Sequence, residues 1–229
     1  MARDLSDPLR DRDPRPFVPA LGRPAWTGAY DRVIAAMTRE RRWRAGLLAL
    51  VAATPGDVVV DVGCGTGTFA IMVKRSCPAA RVVGVDPDEA VLAVARRKAQ
   101  AAAVAIEWRR AMGDELTAVL GAARATAAVT SLVLHQCALP ENRAILAAMY
   151  GALGSGGRLC VADYGAQRTF LMRVLFRPVQ WLDGVANTQP NADGVLPALI
   201  AEAGFAAVSE HATVQTATGA IALYSGRKA

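Results

Sequence analysis

The stretch 58-VVVDVGCGTGTFA-70 decides how the rest of the chain is read. Its first residues are apolar and β-branched, as in a strand buried on both faces of a parallel sheet. An acid, Asp61, stands near the end of that run. Gly63, Gly65 and Gly67 follow at every second position, and Phe69, Ile71, Met72 and Val73 open a helical pattern. The expected unit is therefore strand, glycine turn, helix. Glycine removes Cβ and tolerates unusual φ, so such a turn brings backbone close to a ligand. The amides of the new helix's N-terminus face the same ligand.

The spacing matters. Dinucleotide-binding turns read GxGxxG, whereas this one reads GxGxG and has Thr68 where the third glycine would stand. A carboxylate beside the turn repels a pyrophosphate but can receive an ammonium group. Nineteen residues past Gly67, a second apolar run, 82-VVGVDPD-88, ends in Asp86. An acid at that place accepts hydrogen bonds from the ribose hydroxyls of a bound nucleoside. Asp88 reads instead as the N-cap of a helix over 89–100.

Together these motifs resemble the class I S-adenosylmethionine-dependent methyltransferases, whose first motif is acid-x-Gly-x-Gly-x-Gly. Tyr30-Asp31 followed by 41-RRWR-44 looks like the N-terminal region of the ubiquinone- and menaquinone-biosynthesis group. The resemblance runs from about Tyr30 to the C-terminus. It implies an α/β fold: a Rossmann-like seven-stranded sheet, mostly parallel, with strand 7 antiparallel, helices on both faces and an N-terminal helical cap. It also implies S-adenosylmethionine as cofactor and methyl transfer by in-line displacement. Carried over residue by residue, cofactor contacts fall on Tyr30, Asp61, Gly63, Cys64, Gly65, Gly67, Asp86, Pro87, Met112 and Ser131. Relatives usually place an acid after strand three, where this chain has Ala111-Met112, so Met112 is expected to pack the adenine face.

Residues 1–25 are rich in Pro, Arg and Asp and read as an extended or disordered tail. One domain is expected over 26–229, with a helical cap over 26–53 and a substrate-lid insertion over 166–191. Helices are expected at 28–39 and 41–53. Strand three is expected at 104–109, a helix at 115–122 with Asp114 as its cap, and strand four at 127–134, running into His135-Gln136. A helix opened by Pro140 ends at 154-GSGG-157, and strand five covers 158–164. The segment 168–181 has a broad apolar face at helical spacing, broken at Pro178. A last helix covers 193–203 with Gly204 as C-cap. Strands over 206–216 and 219–225 form a terminal hairpin, which suits the methyltransferase sheet better than the dinucleotide one.

Similar methyltransferases carry a His just after strand four, so His135 is the candidate catalytic base or positioning group. Asp163 and Tyr164 are further pocket candidates. Phe170, Phe176 and Trp181 are expected to wall a small, largely apolar, quinone-, lipid- or metabolite-like acceptor.

Composition narrows the alternatives. The chain has 229 residues and a formal charge of +6, with ten arginines against six acids in residues 1–44. The charges are interleaved, which reads as a solvated surface with at most weak attraction to a membrane. No nucleic-acid motif occurs. Cys64, Cys77, Cys137 and Cys160 have no metal-ligand spacing and read as free thiols of a cytoplasmic protein, with no metal. A nicotinamide-dependent oxidoreductase and a non-catalytic module of the same fold are the competing readings.

Overall fold

A computed structural model describes residues 38–121 and 124–229. Tyr30, the 1–25 tail and the helix expected at 28–39 lie at least partly outside them, as does the cap before Thr38. The elements are α1 (Glu40–Val51), β1 (Val58–Val62), α2 (Thr68–Ser76), β2 (Arg81–Asp86), α3 (Glu89–Ala101), β3 (Glu107–Arg110), α4 (Leu116–Leu120) and β4 (Ala125–Ser131). A 3₁₀ turn (Leu134–Gln136) follows, then α5 (Leu139–Ala152), β5 (Leu153–Tyr164), α6 (Phe170–Asp183), α7 (Val185–Ala192), α8 (Leu196–Glu202), β6 (Ala206–Thr216) and β7 (Gly219–Arg227).

The seven strands lie in the order β3-β2-β1-β4-β5-β7-β6. Strands β1 to β5 pair in parallel, with Val60 opposite Val83 on one side and Ala128 on the other. β7 runs antiparallel to both β5 and β6 and sits between them. From β1 the chain builds outward through β2 to β3, then returns to place β4 on β1's other side. The strand order therefore reverses between β1 and β4, where sheets of this kind form a crevice.

Alternation along β1 explains the two cores. Val60 and Val62 face α4, α5 and α8 through Leu116, Leu146, Met149 and Leu196. Val59 faces α1, α2 and α6 through Trp43, Leu47, Phe69, Val73 and Phe176. Asp88 caps α3 as expected, accepting a 2.8 Å bond from the Ala90 amide.

Several boundaries differ from the expectation. β4 stops at Ser131 because Leu132 adopts φ +55° and turns the chain away. Residues 154–157 belong to β5 rather than to a separate loop. Glu115, not Asp114, occupies the cap position of α4. α6 continues through Pro178, which lies on its exposed side, where water can take the carbonyl left without a donor. The segment 185–192 forms α7, and the last helix starts at Leu196 rather than at 193.

Candidate functional site

A cavity of about 820 Å3 opens at the carboxyl ends of β1 to β4. One part is walled by Gly63, Gly65, Asp86, Pro87 and Met112, the other by Leu132, Cys137, Ala138, Pro140, Ala144 and Ile145. Gln136, Glu141, Asp114 and Asn187 add polar groups.

The glycines of the turn serve two different purposes. Gly65 has φ +51°, and a Cβ added there meets no atom within 4 Å, because it would point into open space at the cavity wall. At Gly63 an added Cβ would strike the Val133 side chain at 2.4 Å. At Gly67 it would strike the Trp108 ring at 2.4 Å and Ala95 at 2.9 Å. Gly67 therefore answers to packing, and it does not line the cavity.

Two acids lie at the turn: Asp86 lines the cavity, whereas Asp61 is buried beside it and is not part of the lining. Asp86 is buried, and Oδ2 accepts the Gly65 amide at 2.9 Å while Oδ1 accepts the Asp88 amide at 2.9 Å. It thus holds the turn, and each oxygen keeps a lone pair for a further donor. Burial raises its pKa, against the two amide bonds. Asp61 is 1% exposed and neither carboxylate oxygen has a hydrogen-bond partner among the described residues. Burial pushes its carboxyl up to about 7, opposed by the Arg44 charge and the nearby Ala70 amide and reinforced by Asp86. A buried, unpartnered carboxyl of this kind is suited to receive a cation, which would restore its charged form.

Several expected site residues lie off the cavity. Cys64 is buried beneath the turn, and burial lifts its thiol far above the ordinary range. Ser131 ends β4, paired with Ala162. Phe176 is buried in the core against Tyr164, their ring centroids 4.9 Å apart. Phe170 and Trp181 are exposed to solvent. None of the three aromatic side chains walls the cavity, because α6 presents Phe176 to the sheet and the other two outward. The apolar wall comes instead from 137–145, where Cys137, whose thiol burial pushes up to about 12, leads into the N-terminus of α5.

His135 also departs from its expected place. It sits in the 3₁₀ turn, 3% exposed and outside the cavity lining. Its Nδ1 lies 2.6 Å from Asp163 Oδ1 and its Nε2 lies 3.5 Å from Asp183 Oδ2. Burial alone would lower its pKa, but the two acids outweigh that and raise it to about 9. Asp163, fully buried, also accepts the amides of Val133 at 3.0 Å, Leu134 at 2.8 Å and Tyr164 at 2.7 Å. This carboxylate shapes the turn after β4. A strand-end acid paired with a His about thirty residues earlier is a weak sequence signal, because only the adjacency of β4 and β5 brings them together. Among the described residues no group of His, Cys, Asp and Glu is arranged to hold a metal.

Residues 59–157 match the model of a methyltransferase domain family. The demethylmenaquinone methyltransferase of Thermus thermophilus is 30% identical over 183 residues, 72% of this chain and 81% of that protein. The 2-phytyl-1,4-naphtoquinone methyltransferase of Synechococcus elongatus is 29% identical over 136 residues, which span 58% of this chain and 57% of the relative. Among solved structures, the magnesium protoporphyrin IX methyltransferase of Synechocystis with bound S-adenosylhomocysteine superposes with a TM-score of 0.61 at 19% identity, over 83% of this chain and 84% of that one. The Thermus likeness covers most of both chains and extends well beyond the glycine turn: this protein belongs to the class I S-adenosylmethionine-dependent methyltransferases of the quinone-biosynthesis type, and S-adenosylmethionine is its cofactor.

Proposed function

We propose that the protein transfers the methyl group of S-adenosylmethionine to a small, largely apolar, quinone-related acceptor by in-line displacement. The observation that carries this reading is the continuity of the cavity. One unbroken space joins the glycine turn and Asp86 to the apolar wall of Ala138, Pro140, Ala144 and Ile145. Its volume lies within the range of pockets that enclose a drug-sized ligand. The naphthoquinone and menaquinone relatives support the acceptor class.

In this reading Gly63 and Gly65 let the backbone approach the cofactor, Asp86 accepts from the ribose hydroxyls, and Pro87 and Met112 flank the adenine. Asp61, buried beside the turn and off the cavity lining, favours the cofactor's ammonium group through its charge. When bound, the cofactor supplies an electrophilic methyl on a sulfonium, so the chain's own part is to bind, align and exclude water. His135 is a positioning residue, since it is buried behind the cavity wall with Asp163 on one nitrogen and Asp183 beside the other. Any proton the acceptor releases has Glu141 and Asp114 as carboxylates in the cavity wall.

The test is transfer of labelled methyl to a demethylated naphthoquinone with an apolar side chain, together with calorimetric titration of S-adenosylhomocysteine and NAD. Methyl transfer with binding of the homocysteine product is expected. Product binding without transfer to that acceptor would overturn the acceptor class, and tighter NAD binding would overturn the whole reading.

A further inference from the structure

We propose that α6 docks the protein on an anionic lipid surface. This helix has two apolar faces. Met172, Phe176 and Val179 point inward and are buried, following the i, i+4, i+7 spacing of a core stripe. That stripe satisfies the helix's demand for packing, and the opposite face should be polar. Instead it carries Phe170, Leu171, Val174, Trp181 and Leu182, and Val185 continues it into α7. Phe170 is 84% exposed and Trp181 85%. These six are all the exposed large hydrophobic side chains among the described residues. A contiguous exposed patch of this kind marks an interaction surface.

Charge decides what the surface fits. At about 100° per residue, Arg173 and Arg177 fall along one edge of the outward stripe, beside Phe170, Val174 and Trp181. Arg173 donates to the Gln167 carbonyl from Nε, and Arg177 makes no hydrogen bond or ion pair among the described residues. The helix's one acid, Asp183, lies on the inward side near His135. The outward face is therefore apolar with a cationic margin and no acid of its own. Hydrocarbon beneath anionic headgroups satisfies both halves, and Trp favours that boundary. A second copy packed antiparallel on the same face, across a two-fold axis perpendicular to the helix, would bring the arginine edges together. The docked helix also backs onto the site, because Asp183 reaches His135 and Asn187 of α7 lines the cavity. Docking through α6 does not depend on the acceptor, and its test needs no turnover.

The test is flotation of the full chain with vesicles of phosphatidylcholine alone or with roughly a third phosphatidylglycerol. Partition at least about ten-fold greater onto the anionic vesicles, weakened by salt, is expected. The triple variant L171S/W181S/L182S should lose that binding while keeping its circular dichroism and its affinity for S-adenosylhomocysteine. Arg177→Glu should weaken binding several-fold. Equal partition onto both vesicles, or a triple variant that binds like the parent, overturns the proposal. So does a chain that ignores vesicles and dimerises through α6, or one that ignores them with Trp181 shielded from acrylamide by residues 1–37.

Discussion

Gly65 shows how much one missing Cβ decides. Its positive φ strains any other residue, and the space beyond it is the cavity. Gly65→Val should leave a folded protein, because no neighbouring atom is displaced, yet abolish cofactor binding. Circular dichroism and calorimetry check the two halves, and a folded variant with normal affinity would remove the turn from the site. Asp86→Ala should weaken S-adenosylhomocysteine by about 1.5–3 kcal/mol, the range for hydrogen bonds to a charged group. An unchanged dissociation constant would place the ribose elsewhere. Asp61 carries the opposite sign for stability and binding. Its folded pKa of about 7 lies above the ordinary value of 3.8, so its contribution to stability is complete below about 4. That contribution is lost as the pH rises through 7. Asp61→Asn should therefore raise the apo-protein's stability at pH 8 by roughly 1–3 kcal/mol, and the difference should close towards pH 4. The same variant should bind the cofactor product more weakly at pH 8. A variant less stable than the parent at pH 8 would show that Asp61 is paired.

At the scale of elements, the turn after β4 depends on β5. Asp163 gathers three backbone amides and the His135 ring, so β4 ends where β5's acid can reach it. Asp183 then ties the end of α6 to the same histidine. The His135 pKa of about 9 lies above its ordinary 6.5. Its contribution to stability is therefore full below pH 6.5 and lost as the pH rises through 9. The melting temperature of the parent should fall across that window. His135→Asn should be flat there and less stable at pH 6.5 by up to about 3 kcal/mol. Turnover of the cofactor-saturated variant should fall less than the ~10²-fold expected on loss of a general base. A parent with a flat profile would mean that the imidazolium does not form.

For the whole molecule, the reversal of strand order between β1 and β4 places the cavity, and ligand binding there should stabilise the entire domain. S-adenosylhomocysteine at a hundred times its dissociation constant should add about 2.7 kcal/mol to unfolding, visible as a raised melting temperature, while NAD at equal concentration should add little. An equal shift with both would contradict the cofactor reading.

The chain by itself determined the strand–glycine turn–helix unit, the second acid at Asp86, the cap at Asp88 and the terminal hairpin. These are local patterns: alternation, spacing and turn chemistry are set by residues a few positions apart. Only the tertiary structure decided that 137–145, rather than Phe170, Phe176 and Trp181, walls the cavity. It also decided that His135 is clamped between two acids, and that Gly67 makes room for Trp108. Each of these depends on residues tens of positions apart, brought together by sheet order. An amphipathic pattern reports that a helix has an apolar face, but α6 has two. Which face turns inward is settled by the sheet it packs against, information that no window along the chain contains.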